Sequence, residues 1–292
     1  MACGWIILDK ERGLFSRTAS TRVARLFGAR TSGHIGTLDP MASGVLPIAI
    51  GAATKMIPFV EDAHENIKEY LFSMRFGIAT DTLDITGRET VRNDFTPTTN
   101  AVLDVLPQFI GEISQIPPAY SAVHISGRRA YELARGGIID AAPAVRTVHV
   151  YALEFLGRDG SDWNFRLRCS RGTYVRALVR DIARAVGAVA TTTMIRRVQS
   201  GGFDIKNAVT LDFLEKLVNN GTDIKGFLKS PDHGLGDIPV VCLDDKSAAL
   251  YQNGGFILVG GASGLRRVYS GDIFIGIGRI DDTGMLRPKR TI

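Results

Sequence analysis

Short apolar runs that stop at a glycine or a charge limit what this chain can fold into. "GWIILDK" (4–10) and "GVLPIAIG" (44–51) have the length of buried strands, and no run approaches the roughly 18 apolar residues of a membrane helix. Between them, "SRTASTRVARLFG" (16–28) has helical spacing, with Ser and Thr at its start, Val23, Leu26 and Phe27 inward, and Gly28 as its stop. Pro47 predicts an edge or bulge position for the second strand, because proline has no N–H to donate to a ladder.

The pattern continues without a regular βαβ rhythm. "AATKMIPFVEDA" (52–63) reads as a short helix, "KEYLFSMRFGIATDT" (68–82) as a strand running into the turn "DTLDITG", and "AVLDVLPQFIGEI" (101–113) as a helix broken near Pro107. Paired prolines and glycines around "SQIPPAYSAVHISGRRAYELARGG" mark a contact-making insertion, about residues 108–140. "RTVHVYALEFLGR" and "WNFRLRCSRGTYV" form a hairpin across "DGSD", then come the helix "RALVRDIARAVG", a strand near "TTMIRRVQSGGF" and a helix over 210–220 with Leu211, Leu214 and Leu217 inward. This interleaving predicts an α+β fold with a mixed, mostly antiparallel sheet flanked by helices. Residues 221–237 have linker punctuation and lead into short strands with glycine turns, giving units 1–236 and 237–292.

Composition narrows the function. With 292 residues, 45% of them hydrophobic, the chain has enough apolar surface for a real core. The three cysteines form no CxxC and the five histidines no ligand spacing, so no metal is expected. The start "MACGWIILDKERG" lacks the features of a secretory leader, which predicts a cytoplasmic protein. No GxGxxG or GxxxxGK[ST] occurs, which argues against a nucleotide cofactor. Net charge is +5, and eight arginines between Phe165 and Val198 face one acid, Asp181, a distribution that suits a polyanionic partner.

The candidate chemistry centres on "GHIGTLDPMASG" (33–44), where Asp39 is the one carboxylate in a glycine-rich turn. An Asp before Pro often simply forms the turn; the alternative is a site, since the glycines, Ala42 and Ser43 leave the backbone bare to a planar ligand. His34 is a contact residue or a solvent-facing polar group. In "CSRGTYVR", Tyr174 and Arg176 lie two apart and would face one pocket at a strand end, or serve as sheet packing and solubility. A guanidinium beside Asp39 would keep that carboxylate ionised and suited to nucleophilic attack. Tyr70, beside Lys68, is a stacking surface for bases or strand core; Asp84 is a turn former or a substrate-positioning group; Lys55 and Arg22 suit phosphate contacts or solubility.

Taken in order, "GWIILDK", "GHIGTLDPMASGVLPIAIGAATK", "KEYLFSMRFGIATDTLDITG", "QIPPAYSAVHISGRRAYELAR" and "CSRGTYVRALVRDIA" resemble the bacterial TruB-type tRNA pseudouridine synthases over almost the whole chain. The C-terminal "GDIFIGIGRIDDTGMLRPKR" is similar to the PUA RNA-binding domain that ends those enzymes. The resemblance implies isomerisation of uridine 55 in the tRNA T loop by base flipping, without metal or organic cofactor; a monomer is the default expectation. It implies Asp39 as nucleophile unaided by a second acid, Arg176 as its ion-pair partner, Tyr174 as an active-site hydroxyl, and Tyr70 as the ring stacked on the target base. It further implies His34 filling the gap left by the flipped nucleotide, with Lys55 and Asp84 as further substrate contacts and the arginine-rich region as a phosphate contact. Attack at C1′, attack at C6 and prior abstraction of a sugar proton all stay open. Glu11, Arg171 and His124 depart from the family's usual residues. A guide-RNA-dependent synthase, a non-catalytic tRNA-binding or folding chaperone and a uracil-releasing N-glycosidase are the competing readings.

Overall fold

A computed structural model describes residues 2–63, 67–120, 124–125, 128–129 and 144–292. One large sheet organises the chain up to residue 210. Its strands are β1 (Gly4–Lys10), β2 (Ser32–His34), β3 (Ser43–Ile50), β4 (Lys68–Phe76), β7 (Gly111–Gln115), β10 (Arg146–Asp159), β11 (Asp162–Cys169), β12 (Ala190–Ser200), β13 (Phe203–Asp204) and β14 (Val209–Thr210). Two small hairpins lie outside it, β5 (Ile78–Thr80) with β6 (Glu89–Arg92), and β8 (His124–Ile125) with β9 (Arg128–Arg129). The order is β14-β1-β3-β12-β4-β11-β10-β7, with β13 on β12 and β2 on β3. The β1–β14 and β3–β12 pairings are parallel and the rest antiparallel, so the α+β class and the mixed, mostly antiparallel sheet agree with the expectation.

Both faces of β1 are covered, which is why its apolar residues run on without alternation. Ile6 and Leu8 join a core with helices α1 (Ser16–Leu26), α4 (Val175–Ala185) and α5 (Leu211–Asn219). Trp5 and Ile7 point the other way, into a second core with Phe203, Leu235, Phe274 and Ile277. Two shorter helices, α2 (Ile57–Asp62) and α3 (Thr99–Val105), follow β3 and β6.

Several local expectations need correction. Pro47 does not mark an edge, since β3 is an interior strand. Its carbonyl accepts from Ile35 N, so its N and O both face away from β1, towards the side where β3 changes partner from β12 (at Ser43 and Gly44) to β2 (at Ile48 to Ile50). The missing N–H thus falls in a gap of the ladder. Ser16 does not cap α1. Gly111–Ile113 is strand rather than helix: α3 and the 3₁₀ turn Leu106–Phe109 end before it, and β7 pairs with β10 along the sheet edge. The remainder of the expected insertion to residue 140 lies outside the described residues apart from its first part to Tyr120, and β8 and β9.

Residues 221–237 are tied down rather than free. Trp5 N donates to Lys229 O and Lys229 N to Trp5 O, at 3.0 and 2.8 Å, and the Trp5 indole N–H donates to Pro231 O. Beyond them β15 (Val240–Leu243), β16 (Ile257–Leu258), β17 (Gly264–Ser270), β18 (Ile273–Ile280) and β19 (Met285–Thr291) form a five-stranded sheet in the order β15-β17-β18-β19-β16. The sequence reading missed a helix here, α6 (Asp245–Gln252), whose first N–H groups are capped by Asp244 accepting from Ser247 N at 2.7 Å. Its amphipathic pattern is weak because only Ala248 and Tyr251 are buried.

Candidate active site

Asp39 lies on the connection between β2 and β3, and that connection is pinned almost residue by residue. The Ser16 hydroxyl donates to Leu38 O at 2.9 Å and accepts from Leu38 N at 3.0 Å, clasping the loop to the first turn of α1. Gly13 N donates to Pro40 O, and Ala42 N to Asp39 O. Arg197, wholly buried on β12, donates from Nε to Val45 O at 2.8 Å and from Nη2 to Ile35 O at 3.5 Å, bracing both ends of the loop.

This bracing changes the reading of the glycines. Gly36 (φ +63°) and Gly44 (φ +101°) do not leave open room for a ligand. A Cβ on Gly36 would sit 2.8 Å from both Arg197 Nη1 and Lys68 Nζ, and one on Gly44 would sit 2.1 Å from Arg197 O. The space they provide is filled by β12 and by two buried cations.

Asp39 and Arg176 meet as expected: Arg176 Nε lies 2.8 Å from Asp39 Oδ2, with the arginine 3% exposed and the aspartate side chain 34% exposed. No described residue hydrogen-bonds Asp39 Oδ1. The expectation of one carboxylate without a second acid fails, because Asp84 Oδ2 stands 3.6 Å from Nη1 of the same arginine. Asp84 is itself buried, its Oδ1 accepting from Thr82 Oγ1, Thr86 N and Thr86 Oγ1. It therefore anchors Arg176 through Nη1, while Asp39 meets Nε. Arg176 also donates to Thr82 O at 2.6 Å and Tyr120 O at 2.9 Å.

Arg176 and Tyr174 do not share a strand face. β11 ends at Cys169, Tyr174 is the N-cap residue of α4, and Arg176 is in that helix's first turn. Tyr174 has no capping side chain; instead buried Gln115, at the end of β7, accepts from Tyr174 N at 2.8 Å and donates to Tyr174 O at 3.2 Å. The half-buried Tyr174 ring is thus placed by a residue distant in sequence.

Tyr70 sits mid-strand in β4, 7% exposed, in register with Leu167 and Arg197. Burial pushes its hydroxyl up to about 12, opposed by the adjacent Arg197. His34, at the end of β2, has Nε2 3.1 Å from Thr37 Oγ1. Lys55 is placed elsewhere: its Nζ donates to Thr291 O at 2.9 Å, joining the 3₁₀ turn after β3 to the last strand. Arg22 pairs with Glu215, with contacts of 2.6 Å, because α5 packs beside α1.

Lys10 and Lys68 were missed by sequence reasoning. Lys10 is fully buried and donates to Glu11 O, Leu14 O and Pro40 O; burial lowers it to about 8, against the opposing pull of Asp39. Burial likewise lowers Lys68 to about 8, helped by Arg197. A signal existed: Lys10 shares the alternation of Ile6 and Leu8, and Lys68 that of Tyr70, Phe72 and Met74, so both fall on core faces.

The arginine-rich region is largely occupied internally, contrary to its assignment as a phosphate contact. Arg176 and Arg197 are buried, Arg180 pairs with Asp181, Arg196 with Asp9, Arg166 with Glu69 and Glu154, and Arg171 with Asp62. Apart from Asp181, the pairing acids are distant in sequence and are brought to the cluster by the fold. Of the other departures, Glu11 offers its carbonyl to Lys10, while the His124 side chain lies outside the described residues.

A solved Cbf5–Nop10–Gar1 complex contains a chain that superposes with a TM-score of 0.70 at 24% identity, over 99% of this chain and 84% of that one, a likeness of fold. Sequence comparison is more specific. Residues 24–175 match the N-terminal domain model of the TruB family pseudouridylate synthases, and residues 239–292 match the C-terminal model of pseudouridine synthase II TruB. The tRNA pseudouridine synthase B of Caulobacter vibrioides is 42% identical over 84% of this chain and 78% of its own. That of Aromatoleum aromaticum is 39% identical over 99% and 92%. The chain belongs to the TruB family of pseudouridylate synthases.

Proposed function

We propose that this protein isomerises uridine 55 in the T loop of tRNA to pseudouridine, with Asp39 as nucleophile. The observation that carries this reading is the held carboxylate: Arg176 engages Oδ2 from a buried position, while Oδ1 has no hydrogen bond among the described residues and the side chain stays one-third exposed. The guanidinium orients the carboxylate. The reaction breaks the C1′–N1 bond, turns the uracil, forms C1′–C5 and moves the C5 proton to N1, so one nucleophilic carboxylate suffices without net oxidation or hydrolysis.

The target base must leave a folded loop, at a cost of a few kcal/mol. A ring stacked on it returns about 1–3 kcal/mol, the part we assign to Tyr70. His34 fills the gap left in the RNA, and the Tyr174 hydroxyl faces the reacting base. We assign Asp84 and Arg197 positioning roles, through Arg176 and the loop respectively. Residues 1–236 form the catalytic unit and 237–292 a PUA-like RNA-binding unit.

The test is an unmodified tRNA transcript incubated with the purified protein and no guide RNA, followed by mapping of pseudouridine. Product at position 55 is expected; its absence without a guide sinks the stand-alone reading, and free uracil would mark a glycosidase instead. Asp39→Asn should bind tRNA within a few-fold of wild type and form no product. Retained turnover in that variant removes Asp39 from the mechanism and favours another nucleophile.

A further inference from the structure

Between Glu11 and Asp39 the chain contains no acid but five arginines, Arg12, Arg17, Arg22, Arg25 and Arg30. Folding neutralises Arg22 through Glu215. Arg17, Arg25 and Arg30 are exposed and form no ion pair among the described residues, and all three line one cleft of about 730 Å³ with Thr21, Ser32 and His34. Three exposed arginines on a single concave surface, none of them paired with a carboxylate among the described residues, concentrate a positive field there.

The geometry of α1 makes the cleft directional. Arg17, Thr21 and Arg25 follow at intervals of four, which puts them on one stripe, and eight residues of helix span roughly 12 Å. Two guanidinium groups at that separation reach different phosphates of one strand. The stripe starts beside the clasp between Ser16 and Leu38, and each partner in the clasp is followed directly in sequence by a functional residue: Arg17 after Ser16, Asp39 after Leu38. The helix that carries the stripe is therefore bonded directly to the loop that carries Asp39, and His34, which precedes that loop, lines the cleft.

We propose that this cleft binds the phosphodiester backbone of the RNA strand leading to the target uridine, with Arg17, Arg25 and Arg30 contacting phosphates. The inference rests on the proposed tRNA reading and deepens it. Guanidinium and hydroxyl groups recognise phosphate and sugar rather than sequence. The cleft therefore sets affinity and register, and leaves the chemical step to the Asp39 loop. It also takes over the phosphate role that the sequence had suggested for the arginines of 166–197, most of which fold into internal pairs.

The experiment compares wild type with Arg17→Gln/Arg25→Gln/Arg30→Gln in binding of an unmodified tRNA transcript across a KCl series, and in single-turnover pseudouridine formation at saturating enzyme. Each phosphate contact contributes roughly 0.7–0.9 to the slope of log K against log[salt]. The triple variant should lose about 2 from that slope and bind at least about ten-fold more weakly near physiological salt, with its saturating rate within about two-fold of wild type. Each single Arg→Gln change should remove part of the slope, which keeps the test valid if the triple variant folds poorly. Arg168→Gln/Arg184→Gln, an exposed pair away from the cleft, should leave the slope unchanged. An unchanged slope in the cleft variants, or an equal loss in the control pair, overturns the assignment while wild-type product formation leaves the proposed function standing. A wild type that neither binds nor modifies tRNA overturns both.

Discussion

Asp39 owes its setting to one arginine shared by two acids. Arg176 stands between Asp39 and Asp84 and donates to two backbone carbonyls, so its fork is held from four directions. Lysine offers one flexible point charge instead of a planar fork. Arg176→Lys is therefore expected to lower single-turnover product formation by about 100-fold or more, the scale seen when a preorganised charged group is lost, with tRNA affinity within a few-fold of wild type. Quench-flow kinetics and filter binding on the same preparation check both halves. Asp39 itself was visible in the sequence through its glycine-rich setting and the family resemblance. Asp84 was visible as a turn former or a substrate contact but not as a partner of Arg176, because that approach joins positions 84 and 176 across two elements.

At the scale of elements, the loop is held as a branch of α1 and β12 rather than as a flexible turn. Ser16 is the clearest case: its side chain leaves the helix terminus uncapped and makes both of its hydrogen bonds to Leu38. Ser16→Ala would leave a buried N–H and C=O without partners, a cost of about 1–3 kcal/mol. The expected outcome is a lower denaturant midpoint together with a fall in turnover larger than the fall in affinity, since Asp39 is next in the chain. Equal affinity and turnover in a destabilised variant would show that the clasp serves stability alone. The strands β1, β3, β4 and the β10–β11 hairpin were readable from apolar runs and glycine turns. β7 and α6 were not: the first follows directly on a helical segment, and the second buries too narrow a face to give a clear period.

For the whole molecule, the buried cations make stability depend on alkaline pH with a definite sign. Lys10 and Lys68, near 8 in the folded protein, return to about 10.5 when unfolded, so between these values the unfolded chain binds more protons and stability rises with pH. Cys169 and Tyr70 act in reverse. Burial raises them to about 11 and about 12, so their contribution is present below their unfolded values near 9 and 10 and is lost as pH climbs towards the folded ones. Unfolding free energy should therefore increase by about 1–2 kcal/mol from pH 8 to pH 9 and decline above about pH 10.5. Lys10→Met should flatten the rise, and denaturant titrations at fixed ionic strength measure both.

Sequence alone determined the class of fold and the family and singled out Asp39 as the candidate nucleophile, because strand length, turn glycines and contiguous motifs are local properties. Tertiary structure decided which charges are available. Five of the eight arginines at 166–197 pair with acids brought to them from strands, helices and loops, and Arg197 is buried, whereas Arg17, Arg25 and Arg30 line an open cleft without an ion pair among the described residues. Lys55 braces the final strand, and Lys10 and Lys68 lie in the core beneath the Asp39 loop. Charge in sequence counts residues; charge at a site depends on which opposite charges the sheet register brings within a few ångströms and on how much water is left between them.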